Sequence, residues 1–167
     1  SGWLPRFPYM DGNVPCMLGH HTVAMLADSL AKGIEFDVEL AYEAAYKNAM
    51  KRTMLPWKDG EADPLTKCYY EKGFFPALEE DEEETYEGVH EFENRQAVAV
   101  TMEHAYDDWC LAQIANYLGK TEDAQYFLKR SKNYLNVFNK EIGFVHPKKE
   151  NGEFIKDYNP KLCGGQG

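Results

Sequence analysis

The 167-residue chain is short of basic side chains. Eighteen Lys and Arg stand against 28 Asp and Glu, a net charge of −10. A surface of that sign repels phosphate backbones and anionic lipid faces, which excludes nucleic acid and membrane surfaces as partners. No stretch approaches the roughly 20 apolar residues of a membrane span. Neither a basic-then-apolar leader nor an initiator Met is present. Cysteine is scarce: Cys16, Cys68, Cys110 and Cys163 lie far apart, without the C-x-x-C pairs of a zinc site. Cys68 and Cys110 fall inside helical patterns, where a buried free thiol is the commoner state. The chain also lacks a G-x-S-x-G elbow, a Walker-type loop, a G-x-G-x-x-G turn and the H-E-x-x-H or H-x-x-x-H zinc patterns. Serine-hydrolase, P-loop, dinucleotide and zincin chemistry fall away with them.

What is there suits a globular core. Hydrophobic residues make up 44% of the chain, and the length fits one domain or part of one. The first residues, Ser1 to Pro5, and the last, Gly164 to Gly167, both read as loops, so residues 1–167 are expected to be a fragment of one domain, with no second domain.

Apolar periodicity predicts five helices, over residues 20–32, 37–52 with Asp37 as cap, 64–72 opening with Pro64, 101–118, and 121–139 behind Thr121 as cap. The connections at 33–36 and 119–120 are short enough to make two αα-hairpins. The second and fifth segments carry a full charged face and read as outer helices. The first and fourth are apolar nearly all round and read as buried: residues 22–31 hold one charge, Asp28, and residues 109–118 hold none. An inner-then-outer alternation suits a two-layered array of hairpins, closed toroid or open solenoid. Residues 77–94 carry six consecutive carboxylates at 79–84, a solvated loop without the spaced ligands and turn glycine of a calcium loop. Residues 143–155 read as a β-hairpin or lid turning at Asn151 and Gly152.

Chemistry concentrates at the start of the fourth helix: Glu103, His104, Tyr106, Asp107, Asp108, Trp109 and Cys110. At helical spacing Glu103 and Asp107 share one face, and His104 and Asp108 the adjoining one. Carboxylates leading into a buried helix are costly unless paired or facing a polar cavity. Two readings therefore stand: a cavity wall for a polyhydroxylated ligand, or an internal network closed by Lys or Arg from neighbouring helices. Asp28 poses the same question in the first helix. His20 and His21 precede that helix, and Trp3 and Asp11 lie in the Pro-containing loop before it.

These residues carry a resemblance. Gly2-Trp3-Leu4-Pro5, then Met17-Leu18-Gly19-His20 with Ala27-Asp28-Ser29 and Lys32-Gly33-Ile34, then Gly73-Phe74-Phe75-Pro76, then Glu103 through Cys110, then Leu118-Gly119-Lys120 and Arg130 through Tyr134 follow in order. This succession resembles glycoside hydrolase family 92, the calcium-dependent exo-acting α-mannosidases. The resemblance implies an all-α fold, with αα-hairpins forming part of an (α/α)6 toroid, a short β-hairpin near the C-terminus, and normally a preceding β-sandwich domain. It implies a secreted or periplasmic enzyme that removes terminal α-linked mannose from glycans with inversion. Inversion places an acid and a water-activating base about 6.5–9.5 Å apart, and in the family Ca2+ binds two sugar hydroxyls. The family's acid lies in a Glu-Gly-Asn stretch, its calcium region in Asn-Glu-Pro and its base in an Asp-Asp pair near a Gly. None of these is found here, Asp107 and Asp108 belonging to a different helical motif. The chain is thus expected to contribute pocket wall but no catalytic residue and no calcium ligand, and to be inactive alone. Trp3, Asp11, His20, Asp28, Glu103, Asp107 and Asp108 are the candidates for sugar contacts or for bracing the pocket. The alternatives are another (α/α)6 glycosidase and a non-catalytic helical binding module. The acidic run 79–84 and the Ala97-Val98-Ala99-Val100 approach to the fourth helix depart from the family pattern.

Overall fold

A computed structural model describes residues 2–10 and 12–161; Asp11 and Cys163 lie outside the described residues. The elements in chain order are β1 (Phe7–Tyr9), β2 (Gly12–Val14), α1 (Thr22–Ala31), α2 (Val38–Lys51), α3 (Pro64–Lys72), α4 (Ala97–Tyr117), α5 (Thr121–Arg130), a 3-10 turn (Asn133–Val137), β3 (Phe138–Asn139) and β4 (Phe144–Val145). The molecule is mostly helical, with two small antiparallel sheets.

The helix ends follow local chemistry. Asp37 caps α2 through Leu40 N, and Asp63 caps α3 through Thr66 N with Pro64 in the first turn. α3 stops at Gly73, which takes the left-handed conformation at φ 76°. α4 begins a turn earlier than the pattern from Thr101 suggests: the Thr101 hydroxyl donates to Ala97 O and accepts from Phe75 N, tying the extra turn into the core. α5 is shorter than expected, ending at Arg130 where 139 was anticipated. Ser131 bonds back to Leu128 O, and Asn136 donates to Gly73 O, so the chain tightens into the 3-10 turn under α3. Lys120, not Thr121, is the capping position.

α4 is the axis of the fold, packed by α5, α1 and α2. Its C-terminal half builds one core with Val23, Tyr42, Ala45, Ala124 and Phe127. Its N-terminal end meets α3 and the loops in a second core around Met54, Leu55, Tyr69, Phe75, Val100 and Ile155. α1 is not the buried helix its composition suggests. Only Val23 of it is buried, Met25 is exposed, and Asp28 faces solvent in a pair with Lys32. Its apolar residues half-cover the α4 core while the opposite side stays open. The exposed large apolar side chains of α4 are Met102, Tyr106, Trp109 and Tyr117, a stripe at helical spacing.

The N-terminal segment, read as loop, contains the β1–β2 hairpin, in which Phe7 pairs with Val14. In the C-terminal segment the strand pairing is β3 with β4, while the Asn151–Gly152 turn closes a single bridge between Lys148 and Phe154. Lys149 also bridges to Ala77, and Ile155 is buried, so the segment is packed down. The acidic run is tied at its ends, Glu79 to Lys149 (3.1 Å) and Glu84 to Arg95 (2.5 Å), and exposed from Glu80 to Glu83. All three tryptophans lie outside the buried core: Trp3 under Lys47 (4.6 Å), Trp57 beside His90 (5.5 Å) and Trp109 on the α4 stripe. No described helix is long and apolar enough to cross a membrane.

Candidate functional site

The adjacent carboxylates of α4 point to different partners. Asp108 is buried and closed: Arg130 of α5 binds it through two nitrogens at 2.5 and 2.7 Å, and Tyr69 of α3 donates to it at 3.0 Å. Arg130 also donates to Ala49 O of α2, so one guanidinium joins three helices. Burial, partly offset by Arg130 and Tyr69, pushes the Asp108 carboxyl upward. Burial alone would lower Arg130, but the Asp108 carboxylate outweighs it and keeps the guanidinium charged. For Asp108 the internal-network reading applies, with Arg130 as the cation.

Asp107, also buried, faces the turn before α1. Its Oδ2 accepts from the His20 backbone N–H at 2.6 Å, and its Oδ1 meets His21 Nδ1 at 2.8 Å. One carboxylate thereby fixes both the backbone and a ring of the Gly19–His21 turn. Gly19 sits at φ +79°, and a Cβ there would overlap the His21 imidazole, so only glycine leaves the ring its seat. The Nε2 of His21 lies 3.4 Å from Glu103 Oε2, and both side chains are 44% exposed. The hydrogen bond His21 donates to Asp107 raises its pKa against partial burial, with the charges of Asp107 and Glu103 adding to it.

Behind this turn, His20 and His104 are buried with their rings edge to face at 4.6 Å. Arg6 donates to His20 Nε2 at 3.2 Å; since a guanidinium only donates, that nitrogen accepts and the ring proton sits on Nδ1. His20 Nδ1 and His104 Nε2 have no protein partner. Burial holds both imidazoles well below the ordinary value, with neighbouring positive groups pushing the same way. Arg6 itself donates to Thr53 O and Leu55 O and is lowered to about 10 by burial and by Arg52.

Of the candidates read from the sequence, the structure brings together His20, Glu103, Asp107 and, through α4, Asp108. Asp28 stands apart on the exposed face of α1, held by Lys32 at 2.6 Å. Trp3 is half-buried against α2 with Lys47 and Arg52 over its ring. Asp11 lies outside the described residues. His21, noted in sequence only as half of a histidine pair before the first helix, and Tyr69, Arg6 and Arg130 are not among those candidates. The signal for His21 was the glycine two residues before it; Arg130 lay in the quoted Arg130-Ser131-Lys132 string. Among the described residues no three or more His, Cys, Asp or Glu side chains gather as a metal site. Calcium takes several oxygen ligands, and no carboxylate cluster among the described residues fits it.

Residues 1–166 match the glycosyl hydrolase family 92 catalytic domain. Similar solved structures include a family GH92 inverting mannosidase from Bacteroides thetaiotaomicron VPI-5482, with a TM-score of 0.78 and 30% identity over 99% of this chain and 20% of that one. A family GH92 α-mannosidase from Bacteroides thetaiotaomicron, in complex with mannoimidazole, gives a TM-score of 0.74 and 31% identity over 95% of this chain and 18% of that one. A curated relative from Arthroderma benhamiae, named an uncharacterized secreted glycosidase, is 27% identical over 98% of this chain and 22% of its own length. The chain thus spans about a fifth of the length of these relatives. A match to the family's catalytic domain over residues 1–166 shows that the chain belongs to glycoside hydrolase family 92.

Proposed function

We propose that the chain is part of the sugar-pocket wall of an inverting exo-α-mannosidase, which removes terminal α-linked mannose from glycans. The observation that carries this reading is the pairing of family membership with a half-exposed carboxylate, Glu103, on the central helix beside the exposed Tyr106. Similarity to two mannosidases at 30–31% identity supports mannose as the sugar. Within the site, Glu103 contacts sugar, while His20, Asp107 and Asp108 brace the wall and Trp3 packs against α2 under Lys47 and Arg52. Asp28, paired away on α1, does neither.

Residues 1–167 form a fragment of one (α/α)6 catalytic domain, whose further hairpins cover the exposed α4 stripe and whose β-sandwich domain precedes it. Acid, base and calcium ligands come from those other parts, and the parent is secreted or periplasmic, in keeping with the name of the fungal relative. The test is mannose release from an α-mannoside by the longer parent, with the anomer identified by NMR at early times. Release of β-mannose supports the reading, and release of α-mannose overturns inversion. Turnover by the 167-residue chain alone would overturn the assignment of acid and base to other segments.

A further inference from the structure

The His21 imidazole is immobilised although it is half-exposed. Its Nδ1 is held at 2.8 Å by a carboxylate that is itself buried and fixed by the His20 N–H. Its ring occupies the space that only Gly19 leaves free. A side chain whose sole task is to tie α1 to α4 needs the Nδ1 contact alone. Here the other nitrogen is aimed outward as well, at an equally exposed Glu103 3.4 Å away, too far for a good hydrogen bond. Donor and acceptor therefore both keep unused capacity. With an acceptor-only carboxylate at each ring nitrogen the imidazole donates from both as imidazolium, and in that form a hydroxyl oxygen placed about 2.8 Å from each group would accept from His21 Nε2–H and donate to the Glu103 carboxylate, at charge-assisted distances. The half-exposed Tyr106 ring, 6.5 Å from the imidazole, lies beside that position and presents an apolar face.

We infer that His21 and Glu103 together form a hydroxyl-binding clamp for a pyranoside, with Asp107 and Gly19 setting the imidazole in place. This rests on the glycosidase reading above and adds to it a ligand-facing residue, His21. Holding the ring in advance removes the ordering cost that a mobile histidine would meet on binding.

The clamp is tested on the longer parent, with its histidines isotopically labelled, by following the imidazole resonances during titration with methyl α-mannoside, with exposed His90 as the control for non-specific change. The expected result is a saturable shift of the His21 Cε1 and Nε2 signals. Affinity should weaken about tenfold or more in Glu103→Gln, equivalent to 1.4 kcal/mol or more, and in His21→Asn the saturable shifts of the backbone amides around Gly19 and Glu103 should vanish. Both positions are half-exposed, and an unchanged amide spectrum confirms the fold of each variant. Saturable shifts elsewhere, with His21 unmoved or Glu103→Gln without effect, overturn the clamp and leave the pocket-wall reading standing. No shift with the mannoside but a saturable His21 shift with another glycoside keeps the clamp and overturns mannose. No His21 shift with any glycoside overturns the clamp, and the mannose-release assay then judges the wider reading separately.

Discussion

Asp107 and Asp108 are neighbours in sequence, equally buried, and opposite in what surrounds them. Asp108 sits in a closed network: two guanidinium bonds and a tyrosine hydroxyl satisfy it, and Arg130 carries the load across to α5 and α2. Asp107 sits in an open one, bonded to the turn before α1 and backed by two imidazoles with unpartnered nitrogens. The closed side holds helices together. The open side holds a turn in place and leads outward to the half-exposed His21 and Glu103. Two carboxylates a single residue apart thus serve different neighbours, because a helix turns about 100° per residue.

The largest expected effect breaks the closed side. Arg130→Met strands a buried carboxylate, and urea denaturation should show a loss of about 3–5 kcal/mol. Asp107→Asn should cost less, about 1–3 kcal/mol, since amide bonds replace charge-assisted ones in a partly unsatisfied cluster. If the two losses were equal, the division between the sides would fail. Gly19→Ala, which meets both a positive φ and the imidazole, should cost about 1–2 kcal/mol and displace the His21 resonances while sparing those of the Arg130 network.

Protonation sharpens the contrast. His20 and His104 have folded values depressed below 6.5, so the stability they confer is present above pH 6.5 and is lost as pH falls through their lowered values. His21 is raised, so its contribution is present below 6.5 and is lost as pH rises through its folded value. Chemical denaturation across this range should show acid sensitivity that weakens in His104→Leu and steepens in His21→Asn. At the small end, Asp28→Ala removes only an exposed i,i+4 pair and should change stability by no more than about 0.5 kcal/mol.

Periodicity and caps made most of the fold legible. Asp37, Asp63 with Pro64, and Gly73 mark helix ends by chemistry that acts within one turn. Where boundaries moved, a distant partner was responsible: Phe75 N for Thr101, and Gly73 O for Asn136, contacts that no local pattern encodes. The burial of α1 was misread because composition shows which residues could be covered, not whether a neighbour covers them. The site was legible as a cluster of residue types on α4. Its division was not, since whether Asp107 or Asp108 receives the arginine depends on how α5 lies across α4. The placement of His21 was hidden for a related reason: it is set by a carboxylate 86 positions away.

The placement of the tryptophans has a practical consequence for optical work. Trp3, Trp57 and Trp109 each occupy a separate neighbourhood at the periphery, while the packed interior is furnished by rings such as Tyr69, Phe75 and Phe127. Indole emission therefore reports three local surroundings and little of the interior, whereas near-ultraviolet dichroism in the tyrosine and phenylalanine bands follows the cooperative melting of the whole. A heating curve read only through indole light would describe the skin of this molecule, and its midpoint would belong to the skin as well.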